Sequence, residues 1–131
     1  MKYKILSKAN PLDRSAAPKY YASPVYAGEI ELKRIAEEIA ALSSLSTGDV
    51  YNTLINFVES LPKYLKDGYK LRLGDFGIFK VSFGSAGAED PQKVSASQIK
   101  NRKILYMPGK DIRNSLNDMH FEQESSLKTS V

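Results

Sequence analysis

The sequence predicts an α+β fold, on three observations. Two consecutive stretches, Glu29–Leu42 and Val50–Leu65, carry apolar residues at helical spacing. Two short, strictly alternating runs then flank a glycine-bracketed turn within Gly68–Val81, which is the mark of an antiparallel hairpin. A further strand at Lys100–Met107 and a short helical repeat at Lys110–Met119 complete the series. The expected order is two helices, a three-stranded antiparallel sheet and a short C-terminal helix. One or more strands are added ahead of the first helix.

Residues 2–7 alternate weakly, with Tyr3 and Ile5 opposite Lys2, Lys4 and Leu6, and predict a short strand. Asn10-Pro11 breaks it, and Ala9–Ala17 reads as loop. Lys19–Tyr26 is rich in tyrosine but carries Pro24. Proline lacks the donor a ladder needs, so this run fits only an edge strand or an extended arm. In Glu29–Leu42, Leu32, Ile35, Ala36, Ile39 and Ala40 form the apolar face, and Glu29 and Glu31 suit the positive end of the helix dipole. Ser46-Thr47-Gly48-Asp49 resembles a capping box with Asp in place of Glu. The second helix carries Val50, Leu54, Phe57, Val58, Leu61 and Leu65, with Pro62 inside it, so a kink or break is expected near Leu61. Asp67-Gly68 supplies a glycine C-cap.

In the hairpin, Leu71 and Leu73 share one face and Lys70 and Arg72 the other; Phe79, Val81 and Phe83 fall opposite Ile78, Lys80 and Ser82. Gly84–Ser97 is polar and flexible in composition. The closing segment from Glu122 is polar and reads as a frayed tail. The segments are therefore residues 1–27, an N-terminal extension; 28–121, the main domain; and 122–131, a flexible tail.

Charge follows this division. The net +4 of the chain is uneven: residues 69–110 hold eight basic and three acidic residues, residues 1–26 five basic and one acidic, while residues 27–68 are net acidic. A one-sided basic surface is the footprint of a polyanion binder; the plainer alternative is a solvated sheet face balanced by acidic helices. There is no cysteine and only one histidine, His120, so thiolate and multi-histidine metal sites are excluded within one chain. No phosphate-loop pattern, catalytic triad or paired carboxylate stands out, so neither an enzyme nor a cofactor is expected. The N-terminus lacks the long apolar run of a signal peptide or membrane span, so a cytoplasmic location is expected.

Two motifs carry a resemblance. Gly74-Asp75-Phe76-Gly77-Ile78-Phe79 resembles the Gly-Phe-Gly-x-Phe signature of the bacterial HU and integration host factor proteins, with Asp75 ahead of the phenylalanine. Pro108-Gly109-Lys110, followed by Ile112 and Leu116, resembles the stretch that opens the last helix of that family. With the two helices in front, the resemblance covers Glu29–Met119, and residues 1–27 are an addition to it. They could extend the sheet, cover an edge or contact a partner.

The resemblance implies a homodimer that binds duplex DNA in the nucleoid with little sequence preference, on a basic saddle of paired hairpins. It implies neither a membrane partner nor a small-molecule substrate. The apolar surplus on the second helix, which takes in Tyr51 and Ile55, independently argues for a partner subunit. Saddle candidates are Lys70, Arg72, Lys80, Arg102 and Lys103; Arg102 and Lys103 are adjacent and cannot share a face. Lys110 and Arg113 would reach phosphates from the last helix. The resemblance also implies that the hairpin extends as a β-arm, and Lys93 and Lys100 are further DNA-binding candidates. Asp90-Pro91-Gln92 occupies the place of the family's asparagine-proline-glutamine, whose proline wedges between base pairs. Glu89 and Asp90 oppose phosphate there, so Pro91 is either a wedge or a turn proline. The rival reading is a dimeric interaction module on an HU-like scaffold with weak or no DNA bending.

Overall fold

The computed structural model describes residues 1–125. The chain has the expected α+β class and divides into two compact units. One comprises Met1–Glu31 with the described residues from Asp118 onward; the other is Leu32–Asn117. Residues 126–131 of the expected tail lie outside the described residues.

The terminal unit is a three-stranded sheet. Strand β1, Lys2–Lys8, pairs antiparallel along its whole length with β2, Lys19–Val25. The proline tolerated at an edge, Pro24, sits opposite Tyr3 on that outer strand. On the other side of β1 lies a late two-residue strand, Glu122–Gln123, which pairs parallel with Lys2 and Tyr3. The backbone of Glu124 continues the contact, its N–H donating to the Tyr3 carbonyl at 2.8 Å. This part of the segment read as a tail is therefore held in a sheet. In the β1–β2 loop the hydroxyl and then the backbone N–H of Ser15 donate to Asp13 and hold its carboxyl below the usual carboxylate range.

The central unit begins with α1, Leu32–Ala41, three residues later than the periodicity suggested; Glu29 and Glu31 precede the helix. Helix α2 is Thr47–Lys66. The two helices pack on each other, and the buried apolar side chains among the described residues are Ala36, 0% exposed, and Val50, 5% exposed. The hydroxyl of Ser46 accepts from the N–H of Asp49 at 3.1 Å, satisfying an end donor of α2. Asp49 does not complete the reciprocal box. Its carboxylate takes the Ser46 hydroxyl proton instead, at 2.7 Å. At the other end Gly68, at φ +88°, lets the chain reverse. Its N–H donates to Leu65 and that of Tyr69 to Tyr64, and the two tyrosine rings meet edge to face at 6.4 Å. These are the paired hydrogen bonds and apolar contact of a Schellman stop.

Of the kink or break expected near Leu61, the break does not occur: α2 runs unbroken through Pro62. Proline removes one helical bond, leaving the Val58 carbonyl without its donor, and Val58 is 47% exposed, where water can replace it. Twenty residues anchored at both ends tolerate that single loss. Pro62→Ala restores the donor and is expected to raise stability by about 1–3 kcal/mol, read as an upward shift of the thermal melt.

The sheet follows in the order β3-β4-β5, all antiparallel, with β3 Leu71–Arg72, β4 Gly77–Ser85 and β5 Ile99–Pro108. The first strand is shorter than the alternation of Tyr69–Leu73 implied. Gly74–Phe76 forms a single tight turn, and α3, Lys110–Ser115, ends the unit. Beyond Ser85 the chain does not stay polar and irregular throughout. It forms short turns at Pro91–Lys93 and Ala96–Gln98 before β5 begins.

Candidate functional site

The two motifs that are distant in sequence meet at the base of the sheet. Gly77 pairs with Pro108 in the β4–β5 ladder, and the N–H of Gly109 donates to the Phe76 carbonyl at 3.2 Å. The same carbonyl accepts the Tyr106 hydroxyl at 2.7 Å. A Cβ at Gly77 would overlap the Met107 carbonyl oxygen, and one at Gly109 would overlap the carbonyl oxygen of Asp75. Both positions admit only glycine because backbone passes against backbone.

Above this junction Phe76, Phe79 and Tyr106 stack. Ring centroids lie 4.6 Å apart for Phe79–Tyr106, 5.2 Å for Phe76–Tyr106 and 5.8 Å for Phe76–Phe79. Both phenylalanines of the first motif take part in the stack, with Phe76 still 49% exposed, and Tyr106 joins them unannounced by any motif. Tyr106→Phe keeps the stack and removes one hydrogen bond, so it is expected to cost about 0.5–1.5 kcal/mol in chemical denaturation.

Register sorts the basic residues. Arg72 lies opposite Ile78, Lys80 opposite Leu105, and Lys103 opposite Ser82. Directly opposed residues share a face, as do alternate residues along a strand. Arg72, Lys80 and Lys103 therefore stand on one face, interleaved with Ile78, Leu105 and Met107. The ladder slips by one residue between Ser82 and Gly84, with Asn101 at φ +56° inside the irregularity. Asparagine tolerates that conformation better than most side chains. The slip brings Lys100 opposite Gly84 and so onto the same face as Lys80 and Lys103. Arg102 goes with Ile104 to the other side.

The remaining candidates are spread out. Lys70 precedes β3, and Lys93 ends the turn that Pro91 opens. Asp90 caps that turn, its carboxylate accepting the Gln92 N–H at 3.0 Å. Lys110 begins α3, and the Arg113 guanidinium donates to the Pro108 carbonyl at 3.4 Å. Among the described residues the ion pair present is Arg34–Glu38, so none of these cations is neutralised by a neighbouring carboxylate.

The opposite sheet face is apolar and uncovered towards the hairpin end. Val81 is 42% exposed, Phe83 56% and Ile104 60%. Alternation marked Val81 and Phe83 as a greasy face; among the described residues of a single chain nothing buries them. Helix α2 likewise leaves Phe57 and Val58 exposed.

The HU-HIG family model, described as an HU domain fused to a wHTH, Ig or glycine-rich motif, matches residues 1–123. That match takes in the N-terminal strands as well as the helices and the sheet. No curated protein matches the chain. Among solved structures, the crystal structure of a candidate bacterial DNA-binding protein from Bacteroides vulgatus is similar, with a TM-score of 0.58 and 11% identity. The similarity covers 99% of this chain and 51% of that one, so the chain spans about half the length of that relative. At such identity the likeness is one of fold.

Proposed function

This chain belongs to the HU-HIG family, and on that premise we propose that it binds duplex DNA as a homodimer, with little sequence preference. The observation that carries the reading is the common face of Arg72, Lys80, Lys100 and Lys103. Lysine and arginine without acidic partners suit phosphate oxygens, and a sheet surface of this kind follows the backbone and shape of the duplex without reading base edges. Lys70, Lys93, Arg102, Lys110 and Arg113 are secondary contacts in this reading. A nucleoid location in the cytoplasm belongs to it; a catalytic role, a cofactor and a membrane do not.

Dimerisation rests on the uncovered apolar surfaces. Exposed Val81, Phe83 and Ile104 on the sheet, with Phe57 and Val58 on α2, gain most if a second copy covers them.

Salt dependence of binding to random-sequence duplex tests the function. Each phosphate contact contributes about −0.9 to the slope of log affinity against log salt. Arg72→Ala and Lys80→Ala are each expected to shallow that slope by about one unit and to weaken binding evenly across sequences.

The second reading, an interaction module with weak or no bending, is favoured by Glu89 and Asp90. The Asp90 carboxylate is engaged in its own turn, and Pro91 has the position of an ordinary turn proline. Pro91→Ala is therefore expected to leave duplex bending nearly unchanged, measured by fluorescence transfer between duplex ends. A large loss of bending would make Pro91 a wedge. Absence of duplex binding at about 50 mM salt, where phosphate contacts are strong, would leave the module reading in place.

A further inference from the structure

The N-terminal hairpin carries a second cationic feature, apart from the sheet described above. Lys8 and Lys19 are directly opposed at the loop end of β1 and β2. Like charges directly opposite across an antiparallel pair destabilise it. The strands nevertheless keep this pairing as their last rung before the loop. No carboxylate relieves it among the described residues. Asp13, the acidic residue of that loop, has its carboxylate engaged by Ser15. Glu122 lies at the far end of β1, opposite Lys2.

The two lysines line a cavity of about 290 Å³, together with Asn10, Pro11 and Tyr21. Its polar side chains can all donate. Both lysines are donors only, and Tyr21 carries a hydroxyl. The Asn10 oxygen already accepts the Leu12 N–H at 3.0 Å, which leaves its amide NH₂ available. The Lys8 ammonium lies 5.6 Å from the centre of the Tyr21 ring, so the aromatic face holds one cation in place at the cavity. A recess with two positive charges, and with further donors on Tyr21 and Asn10, suits a phosphate group better than a cation.

We infer that the loop end of the β1–β2 hairpin is a phosphate-binding subsite, in which Lys8 and Lys19 grip the backbone of the bound duplex outside the sheet face. The inference rests on the DNA-binding reading and extends it to a part of the chain to which that reading assigns no contact. One bound phosphate offsets the repulsion between the two opposed lysines.

The test compares the full chain with K8A/K19A in anisotropy titrations of random-sequence duplex, from about 0.05 to 0.3 M salt, the range over which such contacts weaken. The double variant is expected to bind every sequence more weakly and to shallow the salt slope by about 1.8, at about 0.9 per contact. Its melting temperature should equal or exceed the parent's, because a like-charge pair has been removed. Should the double variant melt early, K8Q and K19Q carry the same test singly, each shallowing the slope by about 0.9. A parent that binds duplex with a slope that K8A/K19A leaves unchanged overturns the subsite and leaves the sheet face standing. A parent that binds no duplex overturns both. Phosphatidylserine vesicles distinguish the other source of phosphate: if the double variant loses vesicle binding while its duplex slope is unchanged, the recess faces a lipid surface and the inference is overturned.

Discussion

Gly77→Ala is expected to lower the melting temperature by about 10 °C or more, or to abolish the cooperative transition. Two independent penalties act at that position. Its φ of +126° is one that side-chain-bearing residues rarely adopt, and the added Cβ would overlap the Met107 carbonyl oxygen. The obstruction is backbone on both sides, so no rotamer change relieves it. Strand β4 would have to move away from β5, breaking the Gly77–Pro108 rung and the Gly109 and Tyr106 hydrogen bonds to Phe76. A loss of about 3 kcal/mol or more follows, and each kcal/mol shifts the melt by about 2–8 °C at this size. Gly87→Ala is the control. No atom lies within 4 Å of its Cβ position, and near-parental melting is expected. A Gly77→Ala protein that melts like the parent would show that the junction of the two motifs does not hold the sheet.

The second large effect concerns assembly. Sedimentation at micromolar concentration is expected to give twice the 14.6 kDa chain mass, and the melting midpoint is expected to rise with protein concentration. A chain of this length normally buries about two thirds of its unfolded surface, which takes a substantial core. Among the described residues, Ala36 and Val50 are its buried apolar side chains. Ile104→Glu separates the possibilities. In a monomer, a residue already 60% exposed accepts glutamate within about 0.5 kcal/mol. Beneath a second copy the same carboxylate would be desolvated without a partner, at a cost of several kcal/mol. The variant is then expected to sediment as a monomer and to melt well below the parent. Parental mass and melting for Ile104→Glu would place that face outside any dimer interface.

The sequence by itself determined what depends on near neighbours. The periodicity of Leu32–Ala41 and Val50–Leu65 marks helices because residues three and four apart share a face. Ser46 and Asp67-Gly68 mark the ends of α2 because end donors and acceptors must be satisfied within a few residues. The glycines around Asp75-Phe76 mark a turn because few other residues reach positive φ. Tertiary structure alone decided the rest. Pro62 stays inside an unbroken helix because losing one bond is small beside the anchoring of both ends. Alternation could separate Arg102 from Lys103. Which of them joins Arg72 and Lys80 depends on the β4–β5 register and its slip near Asn101, set by pairing between residues far apart in the chain. The same limit hid Tyr106, whose partner is 30 residues away, and the union of Glu122–Gln123 with β1. Cross-strand pairing leaves no local periodicity to read. The opposition of Lys8 and Lys19 became visible only when the two strands were laid side by side.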